Sequence, residues 1–290
     1  MLHIICNSMA GHGKSARIRD MVVAQLQACD TPFQLHETHY KHHARDIAQN
    51  LTADGMEHTI VVMGGDGTIH EVLNGLHDPS KICLGIIPSG SGNDFAAVAS
   101  IPAHPLEALD LILHGTAKFT DYLDCAGIRG INVIGTGIDI NILQRCYAFR
   151  HLHGKLKYLV STILSLLHFQ FYRFHLERNG AQESHEGFLI CAGNGRRIGG
   201  GIRVCPKAII DDGLIDFVVI DKMHAIREPV ALFHLLTGQI LRQPYVLSER
   251  KTRVSVSFEH PVSIEIDGEI YENLPFDIRL IPNTLRIFRP

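Results

Sequence analysis

The apolar run Val61-Val62-Met63 ends abruptly in Gly64-Gly65-Asp66-Gly67-Thr68, after which Ile69, Val72, Leu73 and Leu76 recur at i, i+3, i+4 and i+7. Strand, glycine turn and amphipathic helix in that order make one βα unit. Glycines let the main chain approach an anion with no side chain in between. Successive amides in such a turn form a concave anion site, and the helix start adds positive potential at the same point. The segment reads as a phosphate-binding loop. Its plainer alternative is a tight turn in which Asp66 only caps the helix.

The same order repeats through residue 121. Strand 2–6 leads to a helix marked by Ile18, Met21, Val22 and Leu26, and strand 33–38 to one with Ala44, Ile47, Ala48 and Leu51 closed by Gly55. Strand 59–63 carries the glycine turn; strand 82–88 precedes a helix with Leu106, Leu109, Ile112 and Leu113 closed by Gly115. Alternating strands and helices predict an open parallel sheet whose glycine loops lie along one edge, where ligands of such folds bind. Beyond residue 121 the period becomes two, in Val254, Val256 and Phe258 and in Val262, Ile264 and Ile266, which predicts antiparallel sheet. Segments 172–177 and 187–192 flank the turn Arg178-Asn179-Gly180 as a hairpin. Two helical stretches, near 155–170 and 224–240, interrupt the strands. The active site is expected in a cleft between an α/β half and a β-rich half.

With 290 residues, 46% hydrophobic and 20% charged, the chain can bury a large core and suits two domains. A net charge of -3 gives no electrostatic reason to expect nucleic acid as a partner. Seven scattered cysteines without CxxC spacing suit a reduced, cytoplasmic protein. The apolar stretch 159–171 is broken by Ser161, Thr162, Ser165, His168 and Gln170 and falls short of the roughly 20 residues of a membrane span. It reads as a buried core helix, or, given Arg150, Lys155, Lys157 and Arg173 around it, as one touching anionic lipid or lining a groove.

Two further loops add to the first. Asn7-Ser8-Met9-Ala10-Gly11-His12-Gly13-Lys14-Ser15 follows the first strand, but Ser8 stands where a Walker A loop needs glycine. Ile87-Pro88-Ser89-Gly90-Ser91-Gly92-Asn93-Asp94-Phe95-Ala96 packs two glycines, two hydroxyls, an amide and a carboxylate after another apolar strand. Three such loops on one sheet edge exceed what chain connection requires. His39, His42 and His43 form the densest histidine group, yet no Cys, Asp or Glu completes a zinc set, and a solvated helix face is the better reading. Arg196-Arg197 beside Gly199-Gly200-Gly201 suits either an anionic head group or an ordinary charged loop.

Gly64 to Gly75 and Ile87 to Ala96 together resemble the diacylglycerol kinase catalytic family, which includes bacterial soluble lipid kinases and sphingosine kinases. Ile209-Ile210-Asp211-Asp212-Gly213-Leu214-Ile215-Asp216 and Glu265-Ile266-Asp267-Gly268-Glu269 are similar to later family segments, so the likeness spans essentially the whole chain. The resemblance implies a nucleotide-binding α/β domain, residues 1–122 plus 278–290, joined to an antiparallel β-sandwich lipid-substrate domain, 123–277. It implies ATP as donor, a lipid hydroxyl as acceptor, magnesium, and transient contact with a membrane surface; a homodimer is compatible with it. By residue match, Asn7, Ser8, Met9, Ala10, Gly11, Thr38, Gly64, Gly65, Asp66, Gly67, Thr68, Ile69, His70 and Ser91 contact ATP. Asp66 and Asp94 join the magnesium and water network. The Ile209 carbonyl, Asp212 and the Leu214 carbonyl resemble a structural magnesium site, and Glu269 matches the catalytic carboxylate. Ser8 replaces the proline that relatives usually carry there.

Phosphoryl transfer needs held phosphates, a divalent cation and a carboxylate that accepts the hydroxyl proton. Asp66, placed among the phosphates, suits a magnesium role, which leaves Glu269 as general base and Asp66 as the alternative base. Two other readings stay open: an NAD kinase-like enzyme, and a non-catalytic nucleotide or lipid sensor.

Overall fold

The computed structural model describes residues 1–7, 14–149, 160–162, 164–165, 169, 171–178 and 181–290. It divides into two compact units. One comprises Met1–Tyr122, Ile210–Gly213 and Ile281–Pro290, the other Leu123–Ile209 and Leu214–Leu280.

The first unit runs β1 (Leu2–Cys6), α1 (Lys14–Ala28), β2 (Phe33–Glu37), α2 (His43–Leu51), β3 (His58–Gly64), α3 (Asp66–Gly75), β4 (Ile82–Pro88), α4 (Asp94–Val98) and α5 (Pro105–His114). The strands are parallel in the order β2-β1-β3-β4. The end of the last strand of the chain, Phe276–Phe288, adds beside β4 in parallel through Arg286 opposite Cys83 and Ile287 opposite Leu84. Ile4, Ile5, Val61, Val62 and Met63 are fully buried, as strands covered on both faces require. Strand order reverses direction at β1, since β2 lies on one side of it and β3 on the other. The carboxyl ends of β1 and β3 therefore flank the switch point of the sheet, the ligand position of open α/β folds. In α1 the expected apolar marker Met21 is exposed, while Ile18, Val22 and Leu26 face the core.

The division between the units falls within β5 (Ala117–Cys125) and within the last strand. The second unit continues with β6 (Ile128–Gly130), β7 (Val133–Gly137), α6 (Ile138–Ala148), β8 (Tyr172–Arg178), β9 (Ala181–Gly193), β10 (Ile215–Asp221), α7 (Glu228–Thr237), β11 (Val246–Lys251), β12 (Arg253–Phe258), β13 (Ile264–Ile266), β14 (Glu269–Tyr271) and β15 (Phe276–Phe288). All pairings in this unit are antiparallel, along the path β14-β13-β7-β9-β8-β12-β15, with β10 between β9 and β11. Neighbouring residues of one strand enter different cores. Ile190 and Ala192 join one cluster with Phe174, Phe217 and Phe276, whereas Leu189 and Cys191 join another with Ile138, Ile142, Ala231 and Leu235 of α6 and α7. Burial on both faces explains why Phe188 to Ala192 of β9 and Phe217 to Ile220 of β10 read as continuous apolar runs, and why clean alternation appears in strands such as β12, with Val254 and Val256 inside.

Of the apolar stretch 159–171, residues 160–162, 164 and 165 are helical and Ser161, Thr162 and Ser165 are buried; much of the remainder lies outside the described residues. No helix among the described residues is long and apolar enough to cross a membrane. The second cluster lines an apolar pocket walled by Ile142, Phe188, Ile202, Leu232 and Leu235 and carrying one carboxyl, Asp139. Asp139 is buried, one of its oxygens accepts the Ile140 N–H at 2.9 Å, and desolvation raises its pKa from 3.8 to about 7.

Because the fold favours the protonated acid, Asp139 is harmless below the ordinary carboxylate range and destabilises increasingly as pH climbs from 3.8 towards about 7. Thermal melts of Asp139→Asn should lose that part of the decline in Tm between acidic and neutral pH. A variant whose pH profile parallels wild type would refute the burial account.

Candidate active site

The glycine turn after β3 is tied to the turn after β4 at van der Waals distance. A Cβ on Gly65 would sit 3.0 Å from the Gly90 Cα, and a Cβ on Gly90 only 2.5 Å from the Gly65 Cα, so both positions need glycine. The Ser89 N–H donates to the Gly64 carbonyl at 2.9 Å and continues the β3–β4 ladder into the loops. Gly64 is constrained from the other side, since a Cβ there would collide with the Thr68 side chain. Around Gly67 a Cβ would meet nothing within 4 Å. Gly67 is exposed at the N-terminal turn of α3, where the helix dipole suits an anion.

Asp66 fastens these two loops. Its carboxylate accepts the Asp94 N–H at 3.1 Å through one oxygen and the Phe95 N–H at 3.0 Å through the other, which caps the first turn of α4 from a distance of 28 residues. Asn93, at φ 54°, cannot cap that helix with its own side chain and instead closes its loop, accepting the Gly90 N–H at 3.0 Å and donating to the Gly90 carbonyl at 2.9 Å. Glu71 performs the same service for α2. The N-cap His42 has no side-chain cap of its own, and Glu71 accepts the His42 N–H at 3.1 Å and the Ala44 N–H at 3.2 Å. Neither capping role is legible in the sequence, because each joins residues distant in the chain.

Of the other residues expected at the nucleotide, Asn7 donates from its side chain towards the Thr68 hydroxyl at 3.5 Å, and its N–H meets the Met63 carbonyl at 3.0 Å. Thr38 is buried beside β1, its N–H on the Cys6 carbonyl at 2.9 Å. Ile69 and His70 are buried, the Ile69 N–H donating to the Gly65 carbonyl at 3.1 Å; Ser91 is exposed and Asp94 buried. Ser8, Met9, Ala10 and Gly11 lie outside the described residues. His39, His42 and His43 gather at the start of α2, where His43 accepts the His39 N–H at 3.1 Å and stacks on Tyr40. Arg196 donates to the Ala208 carbonyl at 2.7 Å.

The acidic turn 210–213 belongs to the first unit because Asp121 holds it. Asp121, fully buried, accepts the Gly213 N–H and the Asn283 N–H, each at 2.8 Å, and donates its own N–H to the Ile210 carbonyl at 2.8 Å. Arg289 pairs with Asp211 and donates to the Phe119 carbonyl at 2.9 Å. Gly213, at φ 74°, completes the turn. Asp212 lies in this unit, while Ile209 and Leu214 belong to the second. No cluster of three or more His, Cys, Asp or Glu suited to a metal occurs among the described residues. One carboxylate with two main-chain carbonyls is an all-oxygen donor set, which fits a hard cation such as magnesium. The sequence signal missed at Asp121 is an acid between Thr120 and Tyr122 in the strand Ala117–Cys125, a strand that also carries Asp124.

In the second unit Ile266 pairs with Glu269 across a two-residue hairpin whose central residues, Asp267 at φ 50° and Gly268 at φ 93°, suit an Asp-Gly turn. Asp267 is buried and accepts three N–H groups, from Ile131 at 2.7 Å, Asn132 at 2.9 Å and Val133 at 3.2 Å. Gly268 N–H meets the Glu265 carboxylate. The hairpin is thus clamped from both sides. Glu269, at its far end, is half-buried.

Residues 1–125 match the diacylglycerol kinase catalytic domain, and residues 132–289 the YegS C-terminal NAD kinase beta sandwich-like domain. The chain is 31% identical over 261 residues to a protein of Xanthomonas oryzae pv. oryzae named "Probable lipid kinase YegS-like", covering 85% of this chain and 83% of that one. It is 28% identical over 298 residues to a protein of Mycobacterium tuberculosis named diacylglycerol kinase, with 99% and 94% covered. A crystal structure from Bacillus anthracis, described as a diacylglycerol kinase, superposes with a TM-score of 0.75 at 20% identity over all of this chain and 96% of that one. An NAD kinase from Archaeoglobus fulgidus shares the fold more distantly, with a TM-score of 0.51 at 14% identity over all of this chain and 94% of that one. A parallel-sheet domain followed by a β-sandwich, carrying these motifs at these positions, makes the chain a member of the diacylglycerol kinase catalytic-domain family with a YegS-type C-terminal domain.

Proposed function

We propose that the protein transfers the γ-phosphate of ATP to a hydroxyl of diacylglycerol or a related lipid. The observation that carries this reading is the interlock of the two glycine loops at Gly65 and Gly90, fastened by Asp66, beside the open N-terminal turn of α3. Backbone amides there hold phosphate oxygens, and Asn7, Thr38 and Ser91 border the same sheet edge. The lipid oxygen attacks the γ-phosphorus, the bond to the β,γ-bridging oxygen breaks, and ADP leaves. Glu269 accepts the hydroxyl proton. Magnesium, when bound, neutralises charge developing on the phosphates. Asp66 and Asp94 face that network in this reading, and Asp212 with the Ile209 and Leu214 carbonyls takes a structural magnesium. An acceptor with acyl chains suits the apolar pocket of the second unit, and relatives named as lipid kinases over most of their length favour a lipid over NAD. In this reading the protein works at a membrane surface.

Glu269→Ala should lower kcat for lipid phosphorylation by roughly 10²- to 10⁴-fold while ATP affinity stays as in wild type. Steady-state kinetics with calorimetric ATP titration separates the two, and full activity in the variant removes Glu269 as base. Asp66→Asn replaces one accepting oxygen with a donor that opposes an α4 amide, at a cost of about 1–3 kcal/mol. Both Tm and ATP affinity should fall; a variant indistinguishable from wild type in both would show that the carboxylate does not organise the loops. Gly90→Ala forces the loops apart and should weaken ATP binding even where the fold survives, as circular dichroism would report.

A further inference from the structure

Helix α7 and the short helical turn 225–227 before it carry apolar side chains on two opposite faces. Ala231 and Leu235 are buried in the second cluster of the unit, and Leu232 and Leu235 wall the apolar pocket. On the other side Ile226, Val230, Phe233 and Leu236 are 84, 47, 59 and 54% exposed. At 100° per residue these four fall within one arc of about a third of the helix circumference. Four of the ten large apolar residues exposed among the described ones thus occupy eleven consecutive positions. A contiguous patch of this kind on a soluble surface marks an interaction site.

The residues bordering this face select the partner. Arg227 precedes the helix, Arg242 follows it and Arg203 packs against Gly238 at its C-terminal end, all three exposed. None of them forms an ion pair among the described residues, and Glu228, the acid of the helix, is half-buried. An exposed apolar helix face with exposed arginines before and after the helix complements an anionic bilayer surface, in which the helix lies with its apolar side among the acyl chains and its cations at the head groups. We infer that α7 is the membrane-docking element of this protein, seated on anionic phospholipid. The inference rests on the lipid-kinase reading for its purpose: one face of the helix meets the bilayer while the other walls the pocket suited to an acyl chain. Its physical basis, exposed apolar area with adjoining cations, is independent of catalysis.

The test is partition of the full chain onto vesicles of phosphatidylcholine alone and of phosphatidylcholine with phosphatidylglycerol, read by cosedimentation. Wild type should prefer the anionic vesicles. The double variant Phe233→Asp with Leu236→Asp should bind them at least about 10-fold more weakly, since each apolar side chain withdrawn from the interface is worth more than 1 kcal/mol. Arg227→Glu with Arg242→Glu should lose the preference for anionic lipid, at about fivefold per charge removed. All four positions are exposed, so thermal melts should match wild type; Phe233→Ser with Leu236→Ser provides the same test without added charge. Vesicle binding unchanged in the apolar variants overturns the inference. So does a concentration-dependent dimer in sedimentation velocity that the apolar variants abolish, in a protein that ignores vesicles, because the face then belongs to a second copy. Phosphorylation of a short-chain, water-dispersed diacylglycerol should persist in the variants. Vesicle binding by a wild type that phosphorylates no lipid would sink the kinase reading and leave the docking surface standing.

Discussion

The hydrogen bonds from the Asp94 and Phe95 amides to the two oxygens of Asp66 are the contact on which the phosphate end of this molecule depends. α4 is only five residues long and has no side-chain cap of its own, so it has little intrinsic stability. A carboxylate accepting from its first turn supplies both the missing acceptor and a favourable charge at the positive end of the helix. That one interaction fixes the distance between the β3 and β4 loops. Glycine at 65 and 90 then becomes obligatory, because the backbones meet where any Cβ would clash. The close approach of the two loops, on which the proposed phosphate site rests, follows from an acid and two glycines.

The same device recurs. Glu71 caps α2, Asp121 holds the 210–213 turn and the chain at Asn283, and Asp267 takes three amides of the 131–133 segment. Each charge-assisted bond is worth about 1.5–3 kcal/mol and is expensive to orphan. Acids that a motif comparison would assign to chemistry are here also the pins of the main chain. In the 267–269 turn the two tasks are divided between neighbours: Asp267 holds the hairpin, and Glu269, half-buried at its end, is left for the proposed proton transfer.

Local periodicity made most of the fold legible. The βα alternation announced the parallel sheet, and the glycine turn after Met63 announced a strand-to-helix junction, since both are written in residues adjacent in sequence. The 172–192 hairpin was legible from Asn179-Gly180, although β9 begins at Ala181, earlier than its apolar core suggested. The two-faced burial of β9 and β10 was not, because a continuous apolar run does not tell which helix covers the second face. Asp121 and Asp139 were invisible for a related reason: their partners lie far along the chain or in a pocket that only the fold creates. The exposed face of α7 was hidden too. Its apolar residues look like core until packing shows which side of the helix the core uses.

The measurement that bears most directly on the account is transfer of label from γ-labelled ATP, with magnesium, to a panel of lipids in mixed micelles and, separately, to NAD. The account predicts label in one lipid class and none in NAD. Label in NAD alone, or tight ATP binding with no transfer to any acceptor, would contradict it.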